Sequence, residues 1–250
     1  MQKVVGSSPI IRSEGHRQPI PRPLAPLRQP LVSSAARLQW VTDPFDSALS
    51  SVEELRDLYP AVLDRAVRKD IGHIDELCRR LVGGASMLFV ATHSAEGHSD
   101  VSPRGGQRGF VTVLDEHRLA IPDATGNQRL DTLANVIETG TIGLIFVIGG
   151  RDTSLRVNGR ACVSADPELI ERLEPVGRPP RTAIVVEAEE VYAHCSKAFV
   201  RSKLWDPESW PESGSLPSAA EVTLTHRREP GLTIEEVEAE QRESLRMRLA

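Results

Sequence analysis

After Gly84 the chain breaks into seven short apolar runs bounded by turn residues, at 87–92, 98–102, 110–114, 118–122, 142–148, 155–164 and 182–192. Runs of this length, rich in Val, Ile, Leu and Thr, read as strands. The first four are separated by hairpin-length gaps, which only antiparallel pairing can bridge. The pattern predicts a mainly β protein in which a closed or half-closed antiparallel barrel carries flanking helices.

Helices are predicted at the margins of that sheet and once inside it. Ser51 and Glu54 have capping-box spacing ahead of Leu55 and Leu58, and Pro60 ends that helix. Helical spacing resumes through Val62, Leu63, Ala66, Val67 and Ile71, then Ile74, Leu77, Cys78 and Leu81, and stops at Gly83-Gly84, giving an N-terminal helical layer. One helix over about 128–138 crosses between the fourth and fifth strands. Another over 167–173 is entered through Asp166 as cap and Pro167 at its first position. A charged amphipathic helix from Thr233 has its own capping box with Glu236.

The 250 residues, 40% of them hydrophobic, suffice to bury a core without disulfides or metals as staples. A net charge of -5 argues against a nucleic-acid partner. No apolar run is long enough to span a bilayer, so no membrane partner is expected and the cytoplasm is the expected location. The three cysteines, Cys78, Cys162 and Cys195, are too widely spaced for a Cys-x-x-Cys site, and no metal site is expected. Residues 1–45 form a Pro- and Arg-rich leader expected to be disordered; a transit peptide or a misassigned start codon would have the same composition. The organisation expected is therefore this leader, a barrel domain with its helical layer over 46–211, and an acidic helical appendage over 212–250.

Two segments carry the chemistry. Ser102 and Arg104 close one strand, and Asn127, Arg129 and Thr132 lie where a helix begins after another. Free backbone N–H groups and the positive end of the dipole gather at a helix start, so these residues together form a candidate phosphate clamp. Farther on, Lys197, Arg201 and Trp205 recur every four residues, one face of a helical turn. Arg156 and Arg160 share one face of their strand and are expected to pair across a dimer or with Glu187 and Glu189.

The order Ser102-Pro103-Arg104-Gly105, Leu119-Ala120-Ile121-Pro122-Asp123, Gly126-Asn127-x-Arg129-Leu130-Asp131-Thr132-Leu133 and Leu155-Arg156-Val157-Asn158-Gly159-Arg160-Ala161 resembles the pyridoxamine 5′-phosphate oxidase-like flavoproteins. The resemblance covers roughly residues 52–211, and the Lys197, Arg201 and Trp205 string recurs in a branch without a settled substrate. It implies an antiparallel six-stranded split β-barrel, a homodimer and FMN in the groove between subunits. On that basis Ser102, Arg104, Asn127, Arg129 and Thr132 would hold the phosphate. The backbone at Ile121 and Pro122 would follow the ring edge, and Lys197, Arg201 and Trp205 would approach from the partner. The implied activity is an oxidoreductase moving a hydride between the flavin and a small organic substrate or NAD(P)H. A non-catalytic flavin-binding dimer, and a deazaflavin- or haem-binding protein of the same fold, are the alternatives. True members carry a Ser-Arg-Lys string and an Arg-x-His clamp where this chain has Gln128-Arg129-Leu130 and no Arg-x-His, so vitamin B6 oxidation is not expected. The cofactor carries the redox step, and no catalytic side chain is assigned.

Overall fold

The computed structural model describes residues 43, 45–124, 126 and 128–249. The leader expected over residues 1–45 therefore lies almost wholly outside the described residues. Two compact units divide the chain, Met1–Pro60 and Ala61–Ala250. In the first, α1 (Val52–Asp57) is capped by the Ser51 hydroxyl, which accepts from the Glu54 N–H. The expected capping box is half realised, since the Glu54 carboxylate reaches the N–H of Ser50 instead of that of Ser51.

In the second unit, α2 (Asp64–Val67) and α3 (Glu76–Gly84) precede β1 (Met87–His93), β2 (Ser99–Gly105), β3 (Thr112–Val113) and β4 (Arg118–Pro122). Then come α4 (Asp131–Thr139), β5 (Thr141–Val147), β6 (Ser154–Ser164), α5 (Pro167–Glu171) and β7 (Ala183–His194). The chain continues into α6 (Lys197–Ser202), α7 (Ala219–Arg227) and α8 (Ile234–Leu249). All strand pairs are antiparallel, in the order β2-β1-β5-β6-β7-β4-β3. This is a split barrel of seven strands, one more than the six the resemblance implies; the seventh is β3, reduced to two residues.

Strict alternation bends the sheet around one core. In β1 the side chains of Leu88, Val90 and Thr92 are buried while Met87, Phe89, Ala91 and His93 face out, the period-2 pattern of a strand with one buried face. Leu88 and Val90 share a single cluster with Leu119 and Ile121 of β4, Leu144 and Phe146 of β5, Leu155 and Val157 of β6, and Ile184 and Val186 of β7. Pro103 is tolerated within β2 because that strand lies at the edge of the sheet, where a missing N–H breaks no inner ladder. β3 is short because Phe110 leaves strand geometry to bury itself against Gly106, where an added Cβ would stand 2.8 Å from its ring.

The N-terminal helical layer is thinner than its spacing predicts. α2 is a single turn, and Val62, Leu63 and Val67 are exposed. Asp70 and Ile71, just past that turn, cap an edge of the sheet. β4 pairs with β7 only as far as Arg118↔Glu187. Beyond it, the Ile71 N–H donates to the Val191 carbonyl and the Asp70 carboxylate accepts from the Val191 N–H at 2.8 Å. Those bonds satisfy a backbone edge that would otherwise be open.

β6 and β7 shift register between Asn158 and Gly159, leaving Glu189 unpaired in a bulge. There Arg160 reaches Glu187 at 2.7 Å and Glu189 at 3.1 Å, as the sequence leads one to expect. Arg156 does otherwise: its guanidinium lies 5.3 Å over the Tyr192 ring, and its Nε is buried without a hydrogen-bond partner among the described residues. The C-terminal helices form a hairpin with Ala220 and Val237 buried, tied by Arg227 to Glu229 and Glu240. α7 was not expected, although Ser218 and Glu221 form a full capping box that the sequence displays.

Among the described residues no helix is long and apolar enough to cross a membrane, and no group of three or more His, Cys, Asp or Glu could hold a metal ion. Cys78 is buried, and that burial pushes its thiol up to about 11, while Cys162 and Cys195 are exposed. A thiol reagent at neutral pH is accordingly expected to label two cysteines in the folded protein and the third only after denaturation. Three fast-reacting thiols would contradict the packing of α3.

Candidate functional site

The side chains of Asp100, Ser102 and Arg104 alternate along β2 onto its half-buried face, opposite Thr92, Val90 and Leu88 of β1. Over this row lies the start of α4. Its buried residues Thr132, Asn135 and Val136 fall at i, i+3 and i+4, one face of the helix. Val136 enters the core, and the polar members meet the strands: the Asn135 amide donates to the Thr92 hydroxyl at 3.0 Å.

At the centre of the contact, the Thr132 hydroxyl donates to Asp100 Oδ2 at 2.8 Å and lies 3.1 Å from the Ser102 oxygen. The Ser102 hydroxyl donates to the same Oδ2 at 3.1 Å. Ser102 and Thr132, paired by the sequence reading, are thus brought together. Asp100, which that reading left without a role, is the group they share. Its signal was present in the i, i+2, i+4 spacing of Asp100, Ser102 and Arg104 along one strand.

The entry to α4 is strained and, among the described residues, carries no side-chain cap at Leu130. Gln128 and Leu130 both have left-handed backbone, φ 63 and 58, costing about 1–2 kcal/mol each for residues with a Cβ. Leu130 offers no side-chain cap, so the first N–H groups of the helix have no acceptor within it and point outward with the positive end of the dipole. Arg129 sits in this entry and grips Asp131 through two nitrogens at 2.8 Å, an exposed pair. Arg104 donates to the Pro103 carbonyl at 3.1 Å and faces the charge of Asp123. Burial pushes the Asp123 carboxyl up, and the Arg104 guanidinium pulls it back part of the way. Asn127 lies outside the described residues.

The other expected residues occupy two further places. Ile121 and Pro122 are buried at the end of β4. The β3 ladder stops at Thr112↔Ala120, so the outer backbone edge beside them is not covered by that strand. Lys197 and Arg201 line an open cavity of about 220 Å³ with Ser196 and Val200. Trp205 does not extend their helical face. α6 ends at Ser202, and Lys203 turns the chain through left-handed backbone. The indole then stacks on Phe199 at 6.1 Å and donates to the Arg151 carbonyl at 2.9 Å. A larger cleft, about 530 Å³, opens beside Asp115, His117, Arg118 and Glu187. Its guanidinium is already held by Asp115 at 2.6 Å.

As an anion socket, the β2–α4 corner offers two guanidinium groups and an uncapped helix start, with a carboxylate beside each cation. An exposed ion pair contributes only about 0–1 kcal/mol, so a dianion can displace Asp131 from Arg129 at small cost. These donors fit the terminal phosphate of a mononucleotide.

The pyridoxamine 5′-phosphate oxidase family model matches residues 74–195. No curated protein matches the chain. Among solved structures, HupZ of Group A Streptococcus is similar at 20% identity and TM-score 0.39, over 48% of this chain and 99% of that one. A putative pyridoxamine 5′-phosphate oxidase of Lactobacillus delbrueckii is similar at 22% identity and TM-score 0.39, over 50% and 98%. An FMN-binding protein of Syntrophomonas wolfei is similar at 14% identity and TM-score 0.34, over 57% and 96%. Likenesses at these scores carry no argument about ligand or activity.

Proposed function

We propose that this chain, which belongs to the pyridoxamine 5′-phosphate oxidase family over residues 74–195, is an FMN-dependent oxidoreductase acting on a small organic substrate or NAD(P)H. One observation carries the reading: the inward polar row of β2 meets the uncapped start of α4, with Arg104 and Arg129 on the two sides of that junction. In this reading the two guanidiniums and the helix N–H groups hold the phosphate. The uncovered backbone edge at Ile121 and Pro122 follows the polar edge of the ring. When bound, the flavin supplies the hydride-accepting centre. The protein's part is to bind, orient and shield it, and the fold over residues 46–211 is the part that does so.

The active species in this reading is a cytoplasmic homodimer. Its support is an apolar face outside the barrel, where Phe89 stands between Pro103 and Ile145 in the register of β2, β1 and β5, with Met87 and Val101 nearby. Phe89, Ile145 and Met87 are 38%, 39% and 37% exposed and Val101 is 65% exposed, a contiguous apolar patch of the kind a partner covers. In this reading the α6 segment with Lys197, Arg201 and Trp205 approaches the ring from the other subunit. Phe89→Glu is expected to turn the dimer into monomer, read by light scattering on a sizing column, because like charges would then meet across the two-fold. A monomeric parent protein would remove the dimer from the proposal.

The function is tested by titrating the purified protein with FMN, following quenching of flavin fluorescence. NADH or NADPH is then added without oxygen. Saturable binding followed by bleaching of the oxidised flavin's visible absorbance is expected. Binding without bleaching by either nucleotide or any offered reductant would leave a flavin carrier in place of an enzyme.

A further inference from the structure

The Asp100–Ser102–Thr132 corner is where the sequence directs a phosphate, yet its proton inventory is wrong for one. A hydroxyl has a single proton and two lone pairs. The Ser102 hydroxyl donates to Asp100 Oδ2 at 3.1 Å, and the Thr132 hydroxyl donates either to that oxygen at 2.8 Å or to the Ser102 oxygen at 3.1 Å. Both protons are therefore engaged inside the corner, and Asp100 Oδ1 has no partner among the described residues. Asp100 and Ser102 are only half buried, so a ligand can reach them. The corner presents acceptors and a negative charge; a phosphate presents the same, and like charges in a half-buried site repel strongly. A neutral group rich in O–H donors is complementary in both respects.

We propose that Asp100 is a specificity-determining residue that makes this corner a receptor for the hydroxyl-bearing chain of the ligand, leaving the phosphate to Arg104 and Arg129. The inference rests on the flavin reading above and deepens it: the ribityl hydroxyls donate to Asp100, with the half-buried Ser102 oxygen as a further acceptor. Asp100 takes the Ser102 proton, leaving that oxygen to accept, and supplies the charged acceptor itself.

The two assignments of the corner predict opposite results from Asp100→Asn, which keeps shape and removes charge. If the corner takes ligand hydroxyls, FMN and riboflavin share the contact, and both are expected to bind about 10-fold more weakly because a charge-assisted acceptor is lost. If it takes phosphate, removing the negative charge tightens FMN alone and leaves riboflavin unchanged, which would overturn the proposal, as would no change for either ligand. Dissociation constants come from flavin fluorescence quenching, with a thermal melt of each ligand-free variant to establish that it is folded. Should Asp100→Asn fail to fold, Ser102→Ala decides: equal weakening of FMN and riboflavin supports the proposal, and weakening of FMN alone, or of neither, defeats it. Wild-type protein that binds neither ligand removes the flavin reading itself, and this inference with it. Failure of the inference alone shows instead as wild-type binding with the wrong pattern in the variants.

Discussion

Replacing Gly159 with alanine is expected to destabilise the fold by at least about 3 kcal/mol, the upper range for overpacking a core position. The cause is steric. A Cβ built on Gly159 overlaps the backbone carbonyl oxygen of Glu187 and comes within 3.0 Å of the Glu189 nitrogen. Neither atom is the end of a flexible side chain, so relief requires β6 and β7 to separate at their bulge. The consequences spread along β7, because the bulge sets the register in which Val191 meets Asp70 and Ile71. It also sets the position from which Arg160 spans Glu187 and Glu189. Chemical denaturation of Gly159→Ala beside Gly149→Ala makes the comparison, since a Cβ at Gly149 meets nothing within 4 Å. A variant at position 159 as stable as the one at 149 would show that the two strands do not approach as described.

How much of this was legible beforehand depends on the range of each interaction. Strand alternation is local, so β1, β4 and β5 can be read off Leu88-Val90, Leu119-Ile121 and Leu144-Phe146, residues that share one core. The Thr233–Glu236 box is equally local, and both of its hydrogen bonds are present. The brevity of α2 was not legible, because a sequence window sees only the helical spacing of Val62 to Ile71 and not the bond that ties Asp70 to Val191, 121 residues away. Trp205 obeys the same rule: its four-residue spacing was visible, while the left-handed Lys203 and the Arg151 carbonyl that redirect it were not. At the candidate site the residue types were legible, but the direction of their protons was not. Ser102 and Thr132 read as donors to an anion until Asp100, 32 positions from Thr132, is seen within hydrogen-bond distance of both hydroxyls.

Removing both guanidiniums, by Arg104→Ala with Arg129→Ala, is expected to weaken FMN binding by roughly 100- to 20,000-fold, at about 1.5–3 kcal/mol for each charged hydrogen-bonding group. The fold should tolerate the change. Arg129 is bonded to Asp131 in an exposed pair that contributes little, and Arg104 donates to the carbonyl of its own neighbour. Losing Arg104 leaves Asp123 without the cation that offsets its burial, and its carboxyl is then expected to take up a proton more readily than in the parent. Riboflavin supplies the control. It lacks the phosphate, so its affinity is expected to change less than about 3-fold in the double variant, whereas Asp100→Asn affects both ligands alike. The two single variants should differ, because Arg129 must release Asp131 before it can grip phosphate, while Arg104 holds no carboxylate within hydrogen-bond distance among the described residues. Arg104→Ala is therefore expected to cost more than Arg129→Ala, and the gap should narrow in Asp131→Asn protein, where the competing charge is gone. Equal losses for FMN and riboflavin would mean that these arginines support the shape of the groove and do not touch the phosphate, and the clamp at the start of α4 would have to be abandoned.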